Sequence, residues 1–204
     1  MKLKVILGVA GKMGSGKSTV SHKFAEAMGW PYASFGNYVR YVAHQQGLDE
    51  DSKEVLQEIG EALVEKDPKG FCRSVLEYAN WQPDQSLIVD GIRHVEITAA
   101  LQQLTAPSKF VLTYVDVDEN IRKNRLIQER GVRPDQLERL EAHPTEAQVK
   151  TKLSQLADYH LNANAPVELL VDELRKIYTN TLREIESTAG RDQIIEQGQK
   201  QAAG

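Results

Sequence analysis

The segment Gly11–Thr19, Gly-Lys-Met-Gly-Ser-Gly-Lys-Ser-Thr, constrains this chain more than any other stretch. It fits the pattern G-x-x-x-x-G-K-[ST] through Gly11, Gly16, Lys17 and Ser18. Glycines let such a backbone curl until successive N–H groups face inward, and a helix starting at the loop's end directs its positive dipole at the same concavity. The oxygens of a nucleoside triphosphate fill a cradle of that kind. Gly11, Met13, Gly14, Ser15, Gly16, Lys17, Ser18 and Thr19 are therefore the expected nucleotide-binding residues. In this reading Lys17 reaches the β- and γ-phosphates, Ser18 places its hydroxyl on Mg²⁺, and Thr19 begins the helix. The pattern carries this meaning only between a strand and a helix. Leu3, Val5, Leu7 and Val9 supply the strand, with Ile6 making it apolar on both faces as a central parallel strand requires. Val20, Phe24, Ala27 and Met28 supply one face of the helix that follows.

A chain of 204 residues can bury one substantial core but not two ordinary domains with linkers, so one domain is expected. The net charge of −4 argues against a nucleic-acid polymer as partner and makes any basic site a local feature. Cys72 is the single cysteine, which leaves no disulfide within the chain and no thiolate cluster, consistent with a reducing cytoplasm. Lys2 and Lys4 precede an apolar stretch, but its alternation with charge and its run into the glycine-rich loop read as a strand, not a leader. No run approaches the roughly 18 apolar residues of a membrane helix, and no membrane partner is expected. Quaternary state is not legible.

Further along, a short strand is expected at Trp30–Phe35 and a helix at Asn37–Gln46 with Tyr38, Val39, Val42 and Ala43 inward. A longer helix runs to about Lys66 on Val55, Leu56, Ile59, Ala62 and Leu63, followed by a break at Asp67–Gly70 and a helix at Phe71–Asn80. Ser86–Asp90 reads as an apolar strand ending on a carboxylate. Ile97, Ala100, Leu101 and Leu104 form a helix, and Lys109–Asp116 reads as a strong strand. Asp118 can cap a helix carrying Arg122, Lys123, Arg125 and Arg130 that stops at Gly131. From Gly131 to Pro144 the prolines and charges suggest a mobile arm. Thr145 and Gln148 suggest a capping box, Tyr159–Asn162 a last strand, and Pro166 the start of a final amphipathic helix on Leu170, Leu174, Ile177, Tyr178, Leu182 and Ile185. Beyond Gly190 the polar sequence is expected to fray. The α/β alternation implies a three-layer α/β/α fold around a five-stranded parallel sheet.

Such a fold with this loop leaves GTPases, ATPases and small-molecule kinases open. An Asn-Lys-x-Asp base-reading element is missing, the chain is short for an oligomeric or transport ATPase, and arginines stand at the ends of successive elements, as suits a second phosphorylated ligand. Gly36-Asn37-Tyr38-Val39-Arg40 resembles the start of the acceptor-binding helix in adenylate kinases and related nucleoside monophosphate kinases. Asp90-Gly91-Ile92-Arg93 is similar to the Asp-Gly-x-(Pro)-Arg element after their third core strand, one residue shorter. Arg122–Arg133 resembles their lid arm. The resemblance covers about the first 175 residues and implies a kinase domain over residues 1–187, with acceptor-binding helices near 36–80, a short lid near 126–145 and a polar tail from 188. It further implies Gly36, Arg40 and Arg93 as acceptor-binding residues, Ser18 and Asp90 as holders of Mg²⁺, and Lys17, Asp90, Arg93, Arg125 and Arg130 as the catalytic set.

Each candidate has a simpler role open to it. Asp90 can cap the following helix, Arg93 can pair with Glu96, Arg40 can be an exposed helix residue, and the arginines of 122–133 can complement a helix dipole. Lys12 can face solvent, His143 can be a turn residue, and Cys72 reads as packing. The sequence also departs from the family, because His143–Leu153 offers Lys150, Lys152 and His143 where adenylate kinases carry a further arginine pair. Dephospho-coenzyme A kinases are the alternative relatives, with an aspartate at the end of the second strand; here that strand ends Ser34-Phe35-Gly36-Asn37. A hydroxyl acceptor needs a base and a phosphate acceptor does not, so the missing carboxylate favours a phosphate. The expected activity is transfer of the γ-phosphoryl of ATP to a small phosphorylated acceptor, a nucleoside or deoxynucleoside monophosphate. The alternatives are transfer to a hydroxyl and an ATP-hydrolysing switch without a small acceptor.

Overall fold

The computed structural model describes residues 4–202, with side chains described to residue 188 apart from those of 144 and 148. Among these residues five strands form one parallel sheet in the order β2-β3-β1-β4-β5. They are β1 (Val5–Ala10), β2 (Tyr32–Ser34), β3 (Leu87–Ile92), β4 (Lys109–Asp116) and β5 (Tyr159–Asn162). Leu3, expected in the first strand, lies outside the described residues. β1 sits between β3 and β4 and is buried along its whole length, which is why its sequence is apolar on both faces.

Alternation along β1 divides the core. Ile6 and Ala10 face a layer built on Phe35, Phe71, Val75 and Leu101, while Val5, Leu7 and Val9 face Val20, Phe24, Leu170 and Leu174. The first layer comes from α2 (Phe35–Gln45), α3 (Lys53–Lys66), α4 (Pro68–Tyr78) and α5 (Val95–Leu104). The second comes from α1 (Lys17–Met28) and α10 (Val167–Ala202). In α1 the buried stripe uses Ala25, and the helix opens at Lys17 ahead of Thr19. The break expected at Asp67–Gly70 narrows to Asp67 itself, whose carboxylate accepts from the Gly70 N–H at 2.8 Å while Pro68 occupies the first helical turn. The backbone of α10 continues as helix to Ala202, within the stretch expected to fray.

After β4, Asp118 caps α6 (Glu119–Asn124), which widens into a π turn at Arg125–Glu129. The segment expected to be a mobile arm is instead α7 (Pro134–Ala142), in which Pro134 opens the helix. Leu137 and Leu140 are buried there with Leu126, Val132 and Met13 in a small third cluster that packs on the glycine-rich loop. In α8 (Pro144–Gln148) the N-cap is His143, whose ring nitrogen accepts from the Thr145 N–H, so the expected capping box on Thr145 does not form. A π turn at Val149–Leu153 and the short α9 (Ser154–Leu156) lead into β5. Leu156, at the end of α9, is exposed.

Because Leu140 is 1% exposed, Leu140→Ala is expected to cost about 2–5 kcal/mol of stability in urea unfolding. A loss under about 0.5 kcal/mol, as at a surface site, would mean that the arm does not pack.

Candidate active site

The glycine-rich loop leaves the carboxyl end of β1 and enters α1 at Gly16, which takes the left-handed conformation at φ +92°. Gly14 also has positive φ, and a Cβ there would approach Leu126 Cγ to 2.8 Å, so both backbone and space demand glycine. Arg122 braces the loop from behind. Its guanidinium is buried, donates to the Met13 carbonyl at 3.1 Å and pairs with Glu119 and Glu141. Lys12 Nζ is held by Glu119 at 3.0 Å.

Lys17 is 8% exposed, with Nζ 3.4 Å from the Lys12 carbonyl. Burial, and then the charge of Arg93, lower its pKa to about 8 despite the opposing pull of Asp90 and Glu146. Asp90 stands near the end of β3, in register with Ser34 of β2 and Val9 of β1. This places it at the carboxyl edge of the sheet beside the loop, where α/β folds bind ligands. Its Oδ2 accepts from the Tyr32 hydroxyl at 3.0 Å, and its Oδ1 is buried without a partner. The Ser15 hydroxyl is buried and unpartnered as well. A bound phosphate with its cation would supply partners to these two atoms and counter-charge to Lys17, so the residues present fit a nucleoside triphosphate such as ATP with Mg²⁺, which Asp90 and the Ser18 hydroxyl would hold. Asp90 does not cap α5, whose N-cap is His94.

Gly91, at φ +83°, turns the chain so that Arg93 reaches back toward Lys17. Arg93 pairs not with Glu96 but with Glu146, a carboxylate 3% exposed whose other oxygen accepts from the Met13 N–H at 3.3 Å. Burial alone would raise the Glu146 pKa, but Arg93 and Lys17 outweigh it and lower it. Sequence reasoning missed Glu146. It stands 53 residues from Arg93, on a helix with no pattern that announces a site.

Lys17, Asp90 and Arg93 open onto a cavity of ≈ 510 Å³. Gly36, Arg40 and Arg130 line it, together with Met13, Gly14 and Ser18. Lys53 lines it too and was not anticipated; burial and then the neighbouring Arg40 and Arg130 charges lower its pKa. The deeper wall is apolar, made by Phe35, Val39, Leu56, Phe71 and Ile97. The arm reaches from the loop to α3, through Gln136 to Glu54 at 3.1 Å and His143 to Glu61 at 3.4 Å. Arg125 is directed elsewhere and donates to the Ser15 and Ala163 carbonyls at 3.4 and 3.2 Å. Arg133 pairs with Asp135 at the surface. Cys72 is buried, with its thiol pushed up to about 12 by burial.

Residues 7–146 match a family model described as an AAA domain. The chain belongs to that AAA domain family. No curated protein shows significant sequence similarity to it. Among solved structures, this AAA domain is similar to a shikimate kinase from Acinetobacter baumannii in complex with shikimate. That likeness has 17% identity and a TM-score of 0.57, covering 87% of this chain and 94% of the other. It is also similar to a gluconokinase from Sinorhizobium meliloti 1021 (18%, TM-score 0.54, 90% and 97%) and to an uncharacterized protein from Eubacterium ventriosum (18%, TM-score 0.55, 86% and 99%). At these identities the likeness is one of fold, the three-layer phosphate-loop fold that the sequence implied.

Two outcomes follow from this geometry. Removing one partner of the Arg93–Glu146 pair leaves a charge in a largely buried place, so Glu146→Ala should cost about 2–4 kcal/mol in denaturant unfolding. Glu146→Gln should cost less, because an amide oxygen can still accept from the Met13 N–H; equal stability of Glu146→Ala and wild type would remove the carboxylate from this role. Glu119 is held down to about 2, first by its hydrogen bonds to Arg122, with burial opposing and Lys12 assisting. A depressed carboxylate stabilises the fold above its unfolded value near 4.5 and loses that contribution as pH falls through about 2. Unfolding measured from pH 5 to 2 should show this decline, and Glu119→Gln should lessen it.

Proposed function

We propose that the chain is an ATP-dependent kinase that transfers the γ-phosphoryl group to a nucleoside or deoxynucleoside monophosphate. The observation that carries this reading is the division of the cavity into a cationic mouth, formed by Arg40, Lys53, Arg93 and Arg130, and a deep wall of Phe35, Val39, Leu56, Phe71 and Ile97. A monophosphate has a dianion at one end and a flat ring at the other, and matches that division. A small polyol or hydroxy acid would leave the apolar wall uncovered.

In this reading the loop amides and Lys17 hold the β- and γ-oxygens of ATP, and Arg40 and Arg93 align the acceptor phosphate. An oxygen of that phosphate bonds to the γ-phosphorus as the bond to the β-bridging oxygen breaks, so ADP leaves and the acceptor becomes a diphosphate. Mg²⁺ on Ser18 and Asp90 would neutralise charge between the β- and γ-oxygens. Arg130, at the end of the π turn that precedes the arm, takes up charge from the open side while the arm excludes water. Arg125 supports the loop through the Ser15 carbonyl rather than the transferred group.

Transfer to a hydroxyl is the second reading, and the fold likeness to kinases named for shikimate and gluconate gives it weight. It needs a base. Asp90 is the carboxylate among the cavity-lining residues, and β2 ends on Ser34. An Asp90 that serves Mg²⁺ is not free to take a proton from a hydroxyl.

Labelled ATP presented with nucleoside monophosphates, shikimate, gluconate, dephospho-coenzyme A and water separates these readings. Transfer to a monophosphate is expected, and transfer to water alone would overturn the kinase assignment. Arg93→Ala should raise the acceptor KM at least tenfold with a smaller effect on that of ATP; the reverse split would place Arg93 on the donor.

A further inference from the structure

α3 presents Lys53, Leu56, Gln57 and Gly60 to the cavity, at intervals of three and four residues that set them on one face. Lys53 marks the phosphate end, since Arg40 and Arg130 act on it there. Gln57 stands one turn further along, about 6 Å by helical rise, where the apolar wall begins. Its Nε2 is buried with no hydrogen-bond partner. A buried amide donor facing a cavity lacks the partner that a ligand would bring. One turn on, Gly60 occupies a helix interior, a place where glycine weakens a helix relative to alanine. Sterics do not require it: a Cβ there would have only Val39 Cγ2 within 4 Å, at 3.9 Å. The glycine leaves room inside the cavity that the protein itself does not use.

We propose that this face of α3 reads the acceptor's nucleobase, with the Gln57 carboxamide pairing to the ring's hydrogen-bonding edge and Gly60 leaving the space that the ring fills. The inference rests on the monophosphate reading above and goes further, assigning base recognition to named residues. A carboxamide carries a donor and an acceptor side by side. The Watson–Crick edge of each base offers the complement: an amino group beside a ring nitrogen in adenine and cytosine, an oxo group beside a ring N–H in guanine and thymine. The orientation of the amide then selects between the two kinds. Phe35 and Phe71, which meet edge to face at 5.0 Å, supply aromatic surface for the ring itself.

Steady-state kinetics of the full chain with ATP and each of the four deoxynucleoside monophosphates tests this. Gln57→Leu should raise the KM of the preferred acceptor about 10- to 100-fold, flatten the preference among bases and leave the KM of ATP unchanged. Gln57→Glu can only accept, so relative to wild type it should favour guanine, whose ring N–H and 2-amino group both donate, over the other three bases by tenfold or more. Gly60→Ala should raise the melting temperature while also raising the acceptor KM. A wild-type enzyme that phosphorylates a monophosphate, with all three variants keeping its acceptor KM and base preference, would overturn the proposal. A wild-type enzyme that phosphorylates none of the four would instead overturn the monophosphate reading, and this one with it.

Discussion

Lys17, Arg40, Lys53, Arg93 and Arg130 line a cavity whose lining contributes one carboxylate, Asp90, and the surrounding structure has to hold that imbalance together. Arginine keeps its proton under any ordinary condition, so the strain of crowding falls on the lysines. Lys17 and Lys53 are both lowered, each first by burial and then by neighbouring guanidinium groups. Glu146 partly offsets the excess from behind Arg93. The remaining positive charge is what a polyanionic ligand would neutralise, and a low-dielectric surround makes that neutralisation stronger than it would be in water.

Holding like charges in place requires rigid supports, and these come from elements distant in sequence. Asp90 is fixed by strand register against Ser34 and Val9 and by the Tyr32 hydroxyl. The glycine-rich loop is bound from behind by Arg122, and from the side by Leu126, Leu137 and Leu140 packing on Met13. Arg125 adds hydrogen bonds to the Ser15 and Ala163 carbonyls, joining the loop to the segment that follows β5. Three arginines close in sequence thus divide between two roles. Arg122 and Arg125 hold backbone, and Arg130 alone of the three opens onto the cavity.

That separation shows where sequence reasoning stops. The loop, the strands and Asp90-Gly91-Ile92-Arg93 were legible because their signals are local, a fixed spacing or a continuous apolar run. The arm was misread because Pro134 and the surrounding charges look like a break, whereas a proline in the first turn starts a helix and two leucines suffice to bury one side of it. In α3 the apolar stripe was visible, yet the cavity is faced by Lys53, Gln57 and Gly60 beside Leu56, and only tertiary packing decides which flank of a stripe meets a ligand. Glu146 had no local signal at all, since its role arises from contacts with Arg93 and Met13 across the fold.

The arm's two attachments differ in kind. On the loop side it is joined by buried leucines, whose apolar contacts water does not replace, and by the buried Arg122 guanidinium paired with Glu141. On the α3 side Gln136 meets Glu54 and His143 meets Glu61, polar pairs whose hydrogen bonds water can take over at little cost. Separation of the arm is therefore cheapest at the α3 edge. α3 is also the helix that presents Lys53 and the unpartnered Gln57 Nε2 to the cavity, so the arm's weaker attachment and the cavity's unpartnered donor belong to one element, while the loop side stays packed.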